Sequence, residues 1–128
     1  MEELLQSLLD RVEGSFAAAL GTLDGLLVEG VRRRRVDLEA AIAEHAALLR
    51  QAGRAYAAAL GSPQAQELLV VGHPVVGYAR MARATPGLTP QESLFLLVLM
   101  GPEANLGQAR LQATQVAERL AEVTGWLT

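Results

Sequence analysis

Residues Ser93 to Arg110 read SLFLLVLMGPEANLGQAR, and the change of pattern midway decides the fold. Ser93 to Met100 is apolar at nearly every position, as expected of a central strand covered on both faces. Asn105, the chain's only asparagine, stands where a helix has to begin. The first backbone N–H groups of a helix lack intrahelical acceptors, and an N-cap Asn supplies one. Gln108, three residues on, has the spacing of a capping box. From there Leu106, Ala109, Ala113, Val116, Leu120, Val123 and Leu127 recur at helical intervals. The stretch predicts a buried strand, a tight connection and an amphipathic helix.

Working back along the chain, Val75 to Ala82 and Glu67 to Val71 are predicted strands. Gly72-His73-Pro74 joins them as antiparallel neighbours, and the loop RATPGLTPQE leads on to Ser93. Asp37 is placed to cap a long helix running to about Leu60, with Leu38, Ile42, His45, Leu49, Ala52 and Tyr56 on its apolar stripe. Its other side carries Ala40, Ala43, Ala46, Ala47, Ala57 and Ala58. Small side chains admit a second helix closely, and alanine is equally the best helix former, so this face has two readings. At the start, Leu4, Leu5, Leu8 and Leu9 mark a short helix over Glu2 to Arg11 that Gly14 ends. Ser15 to Gly21 and Leu26 to Val31 flank Thr-Leu-Asp-Gly, a hairpin signal. The order is helix, two strands, helix, three strands, helix, an α+β arrangement read as one domain over 1–128, without repeats or linkers.

Composition narrows the function. No cysteine is present, which excludes disulfides, thiolate metal sites and Cys nucleophiles. All 11 basic residues are arginine, so the lysine of a phosphate-binding P-loop is missing. A net charge of −3 argues against nucleic acid as a partner. Acidic Glu2 and Glu3 stand where a secretory signal carries positive charge, and no apolar run approaches the roughly 20 residues of a membrane span, so a cytoplasmic protein with no direct membrane insertion is expected. Hydrophobic residues nevertheless make up 51% of the chain. That richness predicts surface that meets another subunit or partner.

The order of elements, with Pro102, Ala104, Asn105, Leu106, Gly107 and Arg110 opening the last helix, DGLLVEG in the first hairpin and DLEA opening the long helix, resembles the Roadblock/dynein light-chain family. The likeness covers essentially the whole chain, which also resembles the family's bacterial MglB-like regulators. It implies a profilin-like three-layer sandwich: a five-stranded antiparallel sheet with the long helix on one face and the first and last helices on the other. Asn105 and Gln108 then serve as a structural cap, and Gly107 lets the first turn sit close to the sheet. The resemblance further implies a homodimer joined through the third strand and second helix, here Leu68, Leu69, Val70 and Val71 with Ala46, Ala47 and Ala57. An unpaired apolar edge is an aggregation hazard that such pairing removes. The implied partner is a separate small Ras-like GTPase whose nucleotide cycle the dimer modulates; the alternative is an adaptor or scaffold subunit without effect on GTP hydrolysis. The short stretch after the last helix, with no tail to reach round a GTPase, keeps that alternative open.

Candidate partner-binding residues are Glu44, His45, Arg50 and Arg54 on the long helix and the block Arg32, Arg33, Arg34 and Arg35 before it. Four cations ahead of a helix N-terminus oppose its dipole, so helix stability does not account for them. They read either as a solvated loop or as a guanidinium cluster for an acidic or phosphorylated partner, with an arginine finger for a GTPase as the extreme case. His45 and His73 lack acidic partners at motif spacing, and Ser7, Ser15, Ser62 and Ser93 lie in no nucleophile elbow. No catalytic, cofactor or metal residue is assigned, and a non-enzymatic module is expected.

Overall fold

The computed structural model describes residues 1–82, 87 and 89–125, with side chains through Leu120. In chain order the elements are helix α1 (Glu2–Arg11), strands β1 (Ser15–Thr22) and β2 (Leu27–Arg32), helix α2 (Leu38–Leu60), strands β3 (Glu67–Val71) and β4 (Val76–Met81), a short 3-10 turn (Pro90–Glu92), strand β5 (Leu94–Met100) and helix α3 (Leu106–Gly125). All described elements were expected except the 3-10 turn, which begins at a proline whose missing N–H costs nothing there. Part of the preceding loop and Leu127 of the α3 rhythm lie outside the residues described, as does the side chain of Val123.

The strands form one antiparallel sheet in the order β2-β1-β5-β4-β3. β5 is central, and its alternation serves two cores. Phe95, Leu97 and Leu99 face α2, joined by Ile42, Ala46 and Leu49. Leu96, Val98 and Met100 face α1 and α3, joined by Leu5, Leu8, Leu9, Ala113 and Leu120. A bulge between Ser15 and Ala17 breaks the alternation of β1, which is why Phe16 and Ala17 both lie on the α2 side.

α2 starts as its sequence dictates, with Asp37 accepting from Ala40 N–H at 3.0 Å, and ends at Gly61 in the left-handed region (φ 67°). Its seat on the sheet is made of missing side chains. A Cβ on Gly30 of β2 would meet Leu38 Cδ1 at 2.7 Å, one on Gly21 of β1 would meet Ile42 Cγ2 at 2.6 Å, and one on Gly77 of β4 would meet His45 Nε2 at 2.5 Å. Three successive side chains of the helix stripe thus drop into three glycine hollows as α2 crosses the sheet. Tyr56 continues the same stripe yet is exposed, because the last turns of α2 run past the strands that cover Ile42 and Leu49. Among the described residues no helix is long and apolar enough to cross a membrane.

Filling a hollow should unseat the helix. Gly21→Ala is expected to cost about 1–3 kcal/mol in urea unfolding, since fully buried Ile42 cannot yield. The double variant Gly21→Ala/Ile42→Ala should lose less than the sum of the two single changes. Strict additivity would show that Ile42 does not occupy this hollow.

Candidate protein-interaction site

β3 is an outer strand, paired only with β4. Its alternation gives its two faces different chemistry. Leu68 packs beside the α2 core, and Val70, two residues on and opposite Gly77, shares that face. Glu67, Leu69 and Val71 turn toward α3. Val71 is 68% exposed and Leu69 46%, with Val70 also open. The outer end of this edge, from Leu69 to Val71, therefore lacks full cover among the described residues.

α2 adds to the open surface, but not through all the residues expected. Ala46 is fully buried against the sheet, because it lies one turn from Ile42 on the seated stripe, so it cannot form a dimer contact. Ala47 is half-buried and Ala57 exposed. Leu48, Tyr56 and Leu60 are the exposed large hydrophobic side chains of α2, and sequence reading missed Leu48 and Leu60 as surface groups. The available signal was the helical offset of Leu48 from Ile42 and Leu49, which turns it off the buried stripe.

Most of the cationic candidates are occupied internally. Arg32 Nη1 donates to Val36 O at 2.8 Å. Arg33 donates to Leu9 O at 3.3 Å, at the carbonyl end of α1, and pairs with Asp10. Arg34 lays its guanidinium 3.5 Å from the centre of the Phe16 ring. The block continues the outward path of β2, so successive side chains diverge toward opposite layers of the sandwich. It is therefore no guanidinium cluster, and only exposed Arg35 has no partner among the described residues. Arg50 donates to Leu23 O. His45 is half-buried, its Nδ1 2.7 Å from Ala41 O and its other ring nitrogen over Gly77, so it is a packing group rather than a surface ligand. Glu44 and Arg54 remain exposed on α2.

A polar constellation that sequence reasoning did not assemble sits on the α3 side of β3. Glu67 opposes Arg80 across the β3–β4 hairpin, and Arg80 Nη1 donates to Glu67 Oε1 at 2.7 Å. Tyr78 donates its hydroxyl to the same oxygen. From α3, Arg110 grips the carboxylate with two bonds, Nε to Oε1 and Nη2 to Oε2, each 2.7 Å. Arg110, above all, holds the Glu67 carboxyl below the usual carboxylate range despite partial desolvation, and Tyr78 adds to the effect. Burial, followed by the bond to Glu67, pushes the Tyr78 phenol up. The Glu67–Arg80 half was readable by counting back from the Gly-His-Pro turn; nothing local announces Arg110, which arrives from 43 residues away.

The α3 cap itself is formed by Gln108 N–H donating to Asn105 Oδ1 at 3.0 Å. Gly107 does not admit the helix to the sheet: it is exposed, and a Cβ there would meet only Asn105 Oδ1 at 3.4 Å. Neither space nor a positive φ requires glycine at this position.

The clamp has a signed pH dependence. Its carboxylate titrates lower when folded than its ordinary 4.5, so its contribution is complete above that value and is lost as pH falls through the folded pKa. Glu67→Gln should unfold at lower urea than the wild type at neutral pH, with the difference shrinking below about pH 4.5. A gap that persists unchanged at acid pH would refute an ionised clamp.

No family model matches the chain, and no curated protein matches it. Solved structures do. A Roadblock/LC7 domain from Streptomyces avermitilis superposes with a TM-score of 0.84 at 16% identity, covering 97% of each chain. MglB in a tetrameric arrangement gives 0.81 at 22% identity over 94% of this chain and 85% of that one. The gliding protein MglB from Thermus thermophilus gives 0.80 at 21% identity over the same shares. The chain thus folds as a Roadblock/LC7 domain that resembles MglB.

Proposed function

We propose that the chain is a homodimeric, non-enzymatic regulatory module that binds a small Ras-like GTPase and modulates its nucleotide cycle. The observation that carries the self-association is the open edge of β3, where Val70 is exposed on the α2 side of the sheet, together with the exposed Leu48 of α2. Pairing β3 with its copy would satisfy the free backbone groups of both strands, and bringing the two α2 helices together would cover Leu48. The tetrameric arrangement of a solved MglB supports association as a property compatible with this fold.

The GTPase as partner rests on the resemblance to MglB-like regulators. Three arginines of the four-residue block are engaged within the chain, which weighs against an inserted arginine finger. Action through the conformation of the partner's switch loops fits better, with exposed Glu44 and Arg54 on α2 as the contact candidates. The adaptor reading shares the dimer and omits the effect on hydrolysis.

Val70→Arg and Leu48→Glu should each shift the solution mass toward that of the monomer while leaving the helical content intact. Well-folded variants that keep the wild-type mass would move the interface elsewhere. For the partner, single-turnover GTP hydrolysis by Ras-like GTPases of the source organism is measured with and without the chain, alongside co-elution. Co-elution with a changed rate, reduced by Arg54→Ala or Glu44→Ala, is expected. Co-elution at an unchanged rate favours the adaptor, and no co-elution with any of them rejects the GTPase.

A further inference from the structure

The α3 side of β3 carries a groove that the proposed pairing would not fill. Its lining is Glu67, Leu69, Tyr78, Leu106, Gly107 and Arg110. Pairing of β3 with a second strand uses backbone groups, whereas Leu69 points out of the sheet plane into the groove. Packing of α2 against its copy covers the opposite face. The groove would therefore stay open in the dimer.

Its chemistry is two-part. Leu69 and Leu106, 46% and 39% exposed, form an apolar floor and wall. Beside them two guanidinium groups share one carboxylate, leaving an excess positive charge on a chain whose net charge is −3. Arg110 spends Nε and Nη2 on Glu67, while its Nη1 donates to none of the described residues and its side chain is 66% exposed. Gly107 supplies the third feature. Glycine is disfavoured in helices, and here neither backbone conformation nor packing calls for it. A bare backbone at the groove wall suits close approach by a bound chain.

We propose that this groove docks an amphipathic segment of another protein, one that sets an Asp or Glu side chain against Arg110 and leucine-sized side chains against Leu69 and Leu106. The carboxylate would take the free Nη1 donor of a guanidinium already held in place by Glu67, so little side-chain freedom is lost on binding. The groove lies on the opposite side of the sheet from the α2 contact considered for a GTPase and does not depend on that partner.

The test is a random-peptide display selection on the immobilised wild-type chain, followed by fluorescence polarisation with the recovered peptides made as labelled, C-terminally amidated probes. Recovered sequences should combine an acidic residue with neighbouring Leu, Ile or Phe, and their binding should weaken as salt rises. Gly107→Glu fills the groove and reverses its charge, while an acid in the first helical turn suits the α3 N-terminus. It should weaken binding at least about tenfold without altering the solution mass or the circular dichroism. Leu106→Asp is a second probe of the same wall, so the loss of folding in one variant leaves the other to decide. The proposal is overturned if no acidic, apolar pattern emerges, or if folded variants bind the peptides as the wild type does. A change of assembly mass in either variant would also overturn it, by making a second copy of the chain the occupant.

Discussion

Everything exposed on α2 follows from how the helix is seated. Leu38, Ile42 and His45 enter hollows left by Gly30, Gly21 and Gly77 on three different strands, and three such points fix both the crossing of the helix over the sheet and its rotation about its own axis. Rotation by one residue would drive a side chain into backbone. With the rotation set, Ala46 and Leu49 have to be buried, and Leu48 and Glu44 have to face outward. The composition of the candidate interface is thus a by-product of three absent side chains elsewhere.

The other layer is held differently. α1 and α3 pack over the even positions of β5 by ordinary apolar contact, but β3, at the far edge, offers that layer only Leu69 and Val71, both exposed. Glu67 is what ties it in: one carboxylate accepts from Arg80 on the neighbouring strand and from Arg110 on α3. Partly buried carboxylates are costly without such partners, and each guanidinium here offsets part of that cost.

The fold was largely legible because its signals are local. Period-two and period-3.6 patterns, the Asp-Gly hairpin and the caps at Asp37 and Asn105 each act within a few residues, so a single sequence carries them. The site was less legible because its residues are defined by long-range geometry. Ala46 and Ala47 look alike in sequence, and only the seating of α2 buries the first and half-frees the second. The four-arginine block reads as one cationic cluster until strand alternation sends Arg33 to α1 and Arg34 to Phe16. Tyr56 belongs to the apolar stripe by spacing and is exposed because the helix outruns the sheet, a length mismatch that no window of sequence contains.

The two sides of β3 suggest how one short strand could serve two associations at once. Hydrogen-bonded pairing lies in the plane of the sheet, and side chains lie above and below it. The α2 side offers Leu68 and Val70, purely apolar, suited to burial against a like surface. The α3 side offers Leu69 beside a carboxylate gripped by arginines, which a purely apolar surface would leave poorly solvated. A copy of the chain brought up to the edge would therefore gain by closing the α2 side and lose by closing the α3 side. Electrostatics would then reserve the second face for a ligand that brings its own negative charge.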